Sequence, residues 1–200
     1  MADPSPLADL GLEARLAAQL QFLVAIDALK HIERRNLTTD GARRENSAEH
    51  SWHLALYAHV LAEHSPEPVD AARVILMVLV HDIVEIDAGD TFVYDLDGRA
   101  DQVARERAAA DRLFALLPAD QAAAVRAVWD EFSAAQSAEA RLANAIDRLQ
   151  PVLHNFLTQG VRWREHGVDA SQVRALNLPV TDHVPPVGAV VRRIIGHAVR

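Results

Sequence analysis

The chain has 200 residues, half of them hydrophobic, a formal net charge of −8 and no cysteine. The length fits one domain of ordinary size, although two small ones would also fit. The absence of thiols excludes disulfides, thiolate metal sites and cysteine nucleophiles, and the acidic balance argues against a nucleic-acid partner, which needs clustered basic residues.

Alanine, leucine and valine dominate while glycine and aromatics are sparse, which favours helices over a β-sandwich. Met1 to Pro6 lacks the basic and apolar blocks of a secretory signal. The longest apolar run, Val74 to Val80, is far short of the ~20 residues that cross a bilayer. A cytoplasmic protein with no membrane partner is expected.

Residues 7–33 predict a long amphipathic helix, with Leu12, Leu16, Leu20, Leu23, Ile26, Leu29 and Ile32 three or four apart. Residues 34–46 read as a polar connection rich in arginine. Asn46 followed three residues later by Glu49 resembles a capping box and opens a helix to about His64. Ser65-Pro66-Glu67-Pro68 is a break. Val69 to about Asp87 is read as a buried helix; its β-branched run would also suit a buried strand, but Asp70-Ala71-Ala72-Arg73 leads in helically. Gly89-Asp90 ends it. Residues 91–98, with Tyr94, Asp95 and Asp97, form a loop. Helices follow at about 99–116, 119–133 and 137–158. Gly160 and Gly167 loosen the next segment, and Pro179, Pro185 and Pro186 leave only a short helix from 188.

The residues that carry chemistry begin at His81-Asp82, which follows the apolar run directly. A buried carboxylate is normally paired or bound to a metal. On a helix, His81, Asp82 and Glu85 share one face. Taken alone, the dipeptide is more simply a capped helix end with an internal His–Asp hydrogen bond. His50 lies in the first turn of its helix; taken alone it packs against Trp52. His53, three residues on, is read as structural or supporting. His31, His59, His64, His154, His166, His183 and His197 are read as surface or packing residues. Asp147, in the otherwise apolar Leu142-Ala143-Asn144-Ala145-Ile146, would alone pair with Arg148 or Arg141.

In order, Glu49-His50, His81-Asp82-Ile83-Val84-Glu85, Gly89-Asp90 and Asp147 resemble the HD-domain metal-dependent phosphohydrolases. The stretches Arg44-Glu45-Asn46-Ser47-Ala48-Glu49-His50-Ser51 and Leu79 to Asp90 are similar to the 5′-deoxynucleotidase branch. The resemblance implies an all-α helical bundle forming a single HD-type domain over residues 1–200, with a core at about 20–160 and a C-terminal extension at about 161–200. It implies one divalent ion (Mn, Co, Fe or Zn) held by His50, His81, Asp82 and Asp147. Glu85 matches the catalytic glutamate and Asp90 the acidic residue beside the sugar. Arg35, fifteen residues before His50, matches the phosphate-contacting arginine, with Arg34 as its immediate neighbour. The family often places tryptophan after that arginine; here the residue is Asn36. The implied activity is hydrolysis of the 5′-phosphate of deoxyribonucleoside monophosphates, a small-molecule nucleotide substrate, by a homodimer. Open alternatives are another nucleotide or small phosphate ester as substrate, and a non-catalytic helical binding protein.

Overall fold

The computed structural model describes residues 10–95 and 98–198. Ten α-helices and one two-stranded hairpin make up these residues, together with three short 3₁₀ turns. The expected all-α class therefore holds.

Helix α1 (Ala14–Ala25) is capped by Glu13, whose carboxylate accepts from the amides of Arg15 and Leu16. The long helix expected over 7–33 is shorter, and residues 7–9 lie outside the described part. From Ile26 the chain tightens into a 3₁₀ turn to His31, and Ile32 becomes extended. The Ile32 carbonyl then accepts from the Ser47 amide at 2.9 Å, which pulls the chain into a sheet-like path.

The polar connection expected over 34–46 holds a hairpin instead. Strands β1 (Glu33–Leu37) and β2 (Arg44–Asn46) pair antiparallel, Glu33 opposite Asn46 and Leu37 opposite Arg44. Thr38 donates its amide to the Arg43 carbonyl at 2.9 Å to close the turn, where Gly41 takes a positive φ of 71°. Period two sends alternate side chains to opposite faces. Glu33 and Arg35 are exposed, whereas Arg34 is partly buried and Asn36 is buried.

Helix α2 (Ser47–Leu61) opens on the expected capping box: Asn46 Oδ1 accepts from the Glu49 amide at 2.9 Å, and Glu49 Oε2 accepts from the Asn46 amide at 3.3 Å. Helix α3 (Ala71–Val80) carries the apolar run. Val74, Met77, Val78 and Val80 are buried, so this run is a helix and not a strand. It tightens into a 3₁₀ turn over His81–Val84 before the single turn of α4 (Glu85–Ala88). Gly89 leaves α4 with φ at 75°, a conformation that suits glycine.

Helices α5 (Gln102–Phe114), α6 (Ala119–Ala134) and α7 (Ala138–Leu157) follow. The loop before α5 is longer than expected, and Asp97 lies outside the described residues. Helix α7 is the axis of the fold: Leu142, Ala143, Ala145 and Ile146 are fully buried, and α3, α6, α9 and α10 all pack on it. Pro151 has no amide, so it offers nothing to the carbonyl of residue 147 one turn back.

Beyond residue 160 the expected loose segment is helical. Gly160 and Gly167 punctuate it, both at positive φ. Between and after them stand α8 (Val161–Glu165), α9 (Ala170–Thr181) and α10 (Pro185–Ala198). Asp169 and Gln172 cap α9 reciprocally. Pro185 begins α10 at the position where a missing amide costs nothing. No described helix is long and apolar enough to cross a membrane.

Candidate metal centre and active site

Three elements bring the histidine and aspartate side chains together. His50, one turn into α2, has no exposed surface, and its Nε2 lies 3.0 Å from Asp147 Oδ1 on α7. Asp82 Oδ2 is 4.0 Å from the same nitrogen. His81 Nε2 lies 2.9 Å from Asp82 Oδ1 and 3.6 Å from Asp147 Oδ1. The two imidazole centroids are 5.6 Å apart. All four predicted metal ligands therefore converge. Two of the simpler readings fail, since Trp52 is 62% exposed and Arg141 pairs with Glu67 at 2.7 Å, while the His81–Asp82 contact is present as one part of the larger cluster.

The donor set suits a divalent ion. His81 Nδ1 lies 2.9 Å from the Val78 carbonyl, which can only accept, so Nδ1 carries a proton and Nε2 is the ring atom that faces Asp82 and Asp147, where an ion would bind it. His81 Nε2 is buried without a properly formed hydrogen bond, despite its proximity to Asp82. His50, His81 and Asp147 offer ligand atoms within 4.8 Å of one another. Histidine with carboxylate and no sulfur fits Mn, Fe, Co or Zn.

The electrostatics follow from crowding charges in a dry place. Burial works to raise the Asp147 pKa, but the hydrogen bond from His50 and the nearby His81 hold it well below the usual carboxylate range. Burial opposes ionisation of Asp82 too, and the charges of His81 and Arg34 still bring it down to about 2. For His81, burial favours the neutral ring, yet Asp82 and Asp147 raise its pKa to about 10.

Glu85 is buried beside this cluster, and its Oε2 accepts from the Ser47 hydroxyl at 2.6 Å. Burial and then the neighbouring Asp82 charge push its pKa well above the ordinary value. Asp90 is also shifted upward, by burial first, with the Arg34 charge pulling the other way.

Of the two adjacent arginines, Arg34 reaches the cluster. Its Nη1 donates to Asp82 Oδ2 at 2.7 Å and lies 3.9 Å from Glu85 Oε1. Arg35 points the other way on the strand and is exposed, though it borders the same cavity. Its carbonyl accepts from Arg162 Nε at 2.7 Å. Asn36 is buried and accepts from Asn155 Nδ2 at 3.1 Å.

These groups line a cavity of about 570 Å³, a size that suits a nucleotide or similar small ligand. Asp82, Glu85, Asp90 and Asp147 form its acidic pole, and Arg34, Arg99, Arg148 and Arg162 supply positive charge. Phe92, Tyr94 and Trp163 give it aromatic surface. Arg148 was read from sequence only as an ion-pair partner, yet its buried Nε has no hydrogen-bond partner. Tyr94 and Asn177 meet at 3.2 Å, so α9 also reaches the cavity. Nothing local in the sequence signals that the tail contributes here.

The chain is similar to several known proteins. A family model described as an HD domain matches residues 26–185. The chain is 30% identical over 155 residues to the 5′-deoxynucleotidase HDDC2 of Bos taurus, covering 76% of this chain and 73% of that protein. It is 27% identical over 135 residues to the Homo sapiens protein of the same name, covering 67% and 65%. The crystal structure of a predicted metal-dependent phosphohydrolase from Magnetospirillum magnetotacticum MS-1 superposes with a TM-score of 0.88 at 53% identity, covering 93% of both chains. The PH0347 protein of Pyrococcus horikoshii OT3 shares the fold at a TM-score of 0.62 and 18% identity, covering 88% of this chain and 99% of that one. With its four converging histidines and aspartates and a family match spanning most of its length, the chain belongs to the HD-domain family.

Proposed function

We propose that the protein is a metal-dependent phosphohydrolase that removes the 5′-phosphate of deoxyribonucleoside monophosphates. The observation that carries this reading is Arg34, a guanidinium held 2.7 Å from Asp82 at the wall of the cavity that also contains Glu85 and Asp90. Similarity to the 5′-deoxynucleotidases supports the choice of substrate.

His50, His81, Asp82 and Asp147 would hold one divalent ion, which supplies Lewis acidity and a source of hydroxide at neutral pH. The chain's own groups do the rest. Arg34 binds phosphate oxygens through charge-assisted hydrogen bonds and offsets the repulsion from the acidic pole. Glu85 moves a proton at the attacking or leaving oxygen, a role favoured by its pKa, which burial and the Asp82 charge push upward. Asp90 accepts a hydrogen bond from the sugar 3′-hydroxyl. Arg35 stands at the rim, where it draws in an anionic substrate. With Arg34 as the anchor, the residue after it is Arg35 and not Asn36, so base and sugar contacts fall to the aromatic side of the cavity.

In this reading the whole chain is one HD-type unit, with α9 and α10 built onto α7. It acts as a homodimer, and the exposed ridge of Trp52, Leu56 and Val60 along α2 supports that assembly.

Phosphate release from dAMP and AMP, measured side by side on metal-stripped protein resupplied with Mn²⁺ or Co²⁺, tests the reading. Metal-dependent release from dAMP and little from AMP is expected, and Glu85→Gln should abolish most turnover while keeping the metal. Equal release from both would defeat the sugar-sensing role of Asp90. Normal turnover by Glu85→Gln would remove that glutamate from the chemistry.

A further inference from the structure

His50 uses one ring nitrogen toward Asp147 and turns the other, Nδ1, toward Glu45, whose Oε2 lies 3.5 Å away. Beyond that contact stands a second group of ligand-type side chains. Glu45 of β2, His53 of α2 and His154 of α7 each place a ligand atom within 4.8 Å of the others. Glu45 and His154 are each 3% exposed, and His53 is half-buried, which leaves an approach from the surface.

The polar atoms here are not satisfied by the protein. Glu45 Oε1 accepts from Gln150 Nε2 at 2.6 Å, but its Oε2 has no hydrogen-bond partner. His154 Nε2 and Gln150 Oε1 are likewise buried and unpartnered. Groups of this kind in a folded protein normally find a water or an ion. His154 Nδ1 lies 3.1 Å from the Leu37 carbonyl, which can only accept, so Nδ1 bears the proton and Nε2 presents a lone pair. His154 Nε2 and Glu45 Oε2, both buried and without a hydrogen-bond partner, therefore face one space with His53, an arrangement that calls for a cation. His53 is held for the same task, stacked on Trp52 at 5.9 Å and edge-on to Tyr57 at 4.8 Å, with its centroid 5.7 Å from that of His154.

We propose that Glu45, His53 and His154 form a second metal site, selective for a zinc-like transition ion. Two imidazoles and one carboxylate match the ligand set of open zinc sites, whereas magnesium and calcium prefer all-oxygen shells. Because Glu45 faces both the new site and His50, an ion bound there sits one carboxylate away from a ligand of the first centre.

Zinc equilibrium dialysis of the full chain, followed by elemental analysis, tests the proposal. The wild type is expected to hold two zinc ions per chain, His53→Ala one, and the His53→Ala/His81→Ala double variant none. Thermal melting verifies that each variant folds, and His154→Gln replaces His53→Ala if the latter does not. One zinc in the saturated wild type, two in a folded single variant, or one retained in the double variant would each overturn the site.

Discussion

Arg34 and Arg35 differ in one respect only, the side of β1 on which they emerge. That difference decides which reaches Asp82, and in the proposed reaction it makes Arg34 the phosphate-binding residue. Arg34→Ala is expected to lower kcat/KM by about 10²–10³-fold, the usual loss for one preorganised donor. Arg35→Ala should cost less than about tenfold, as a rim charge acts through encounter and is screened by salt. Similar losses from both in steady-state kinetics would sink the assignment. His81 gives a second prediction. In the metal-free protein its pKa is raised to about 10, so the ring is charged at neutral pH and loses its proton as pH rises through that value. An ion needs the neutral ring, so binding near pH 7 should release about one proton, and affinity should climb with pH. Calorimetry in buffers of different ionisation enthalpy would detect it; a buffer-independent enthalpy would contradict it. The four converging residues were legible as an ordered set resembling a family rather than one by one: His81-Asp82 and Asp147 stand in apolar stretches, but His50 lies in a polar one. The choice between the arginines was not, because it depends on a strand that the sequence hardly announces.

Among the elements, the start of α2 carries the clearest local signal. The Asn46–Glu49 box was readable because capping depends on residues three apart. Asn46→Ala should destabilise the protein by about 1 kcal/mol. It should also weaken metal affinity, because His50 hangs one turn below that cap. Denaturant melts of the metal-free and metal-loaded forms would separate the two effects, and an unchanged difference between them would confine the cap to stability. The hairpin escaped sequence reading for a physical reason. Its five- and three-residue strands are mostly charged, so no apolar alternation marks them. Likewise the tightening of α3 into a 3₁₀ turn at His81 leaves no mark in composition, since the same residues suit either helix.

Across the whole molecule, the core forms around α7, and the tail is part of it. Ile195 of α10 is 2% exposed, and Val191 and Thr181 are fully buried. Ile195→Ala is expected to cost about 2–5 kcal/mol. A dispensable tail would instead show a change within about 0.5 kcal/mol in the same denaturant titration. The prolines of the tail suggest breaks in the sequence, but Pro185 occupies the first turn of its helix, where proline is welcome. The Asp169–Gln172 cap was present in the sequence and carried more information than the glycines beside it.

The alternation along β1 has an evolutionary consequence. Inserting or deleting a single residue between the Ile32 anchor and Arg34 would exchange the cavity-facing and solvent-facing arginines in one step, while a two-residue change would restore them. A tandem pair of arginines tolerates such a slip, because either parity still delivers a guanidinium to the acidic pole. The tandem pair therefore keeps one guanidinium at the acidic pole through a one-residue shift in the register of β1.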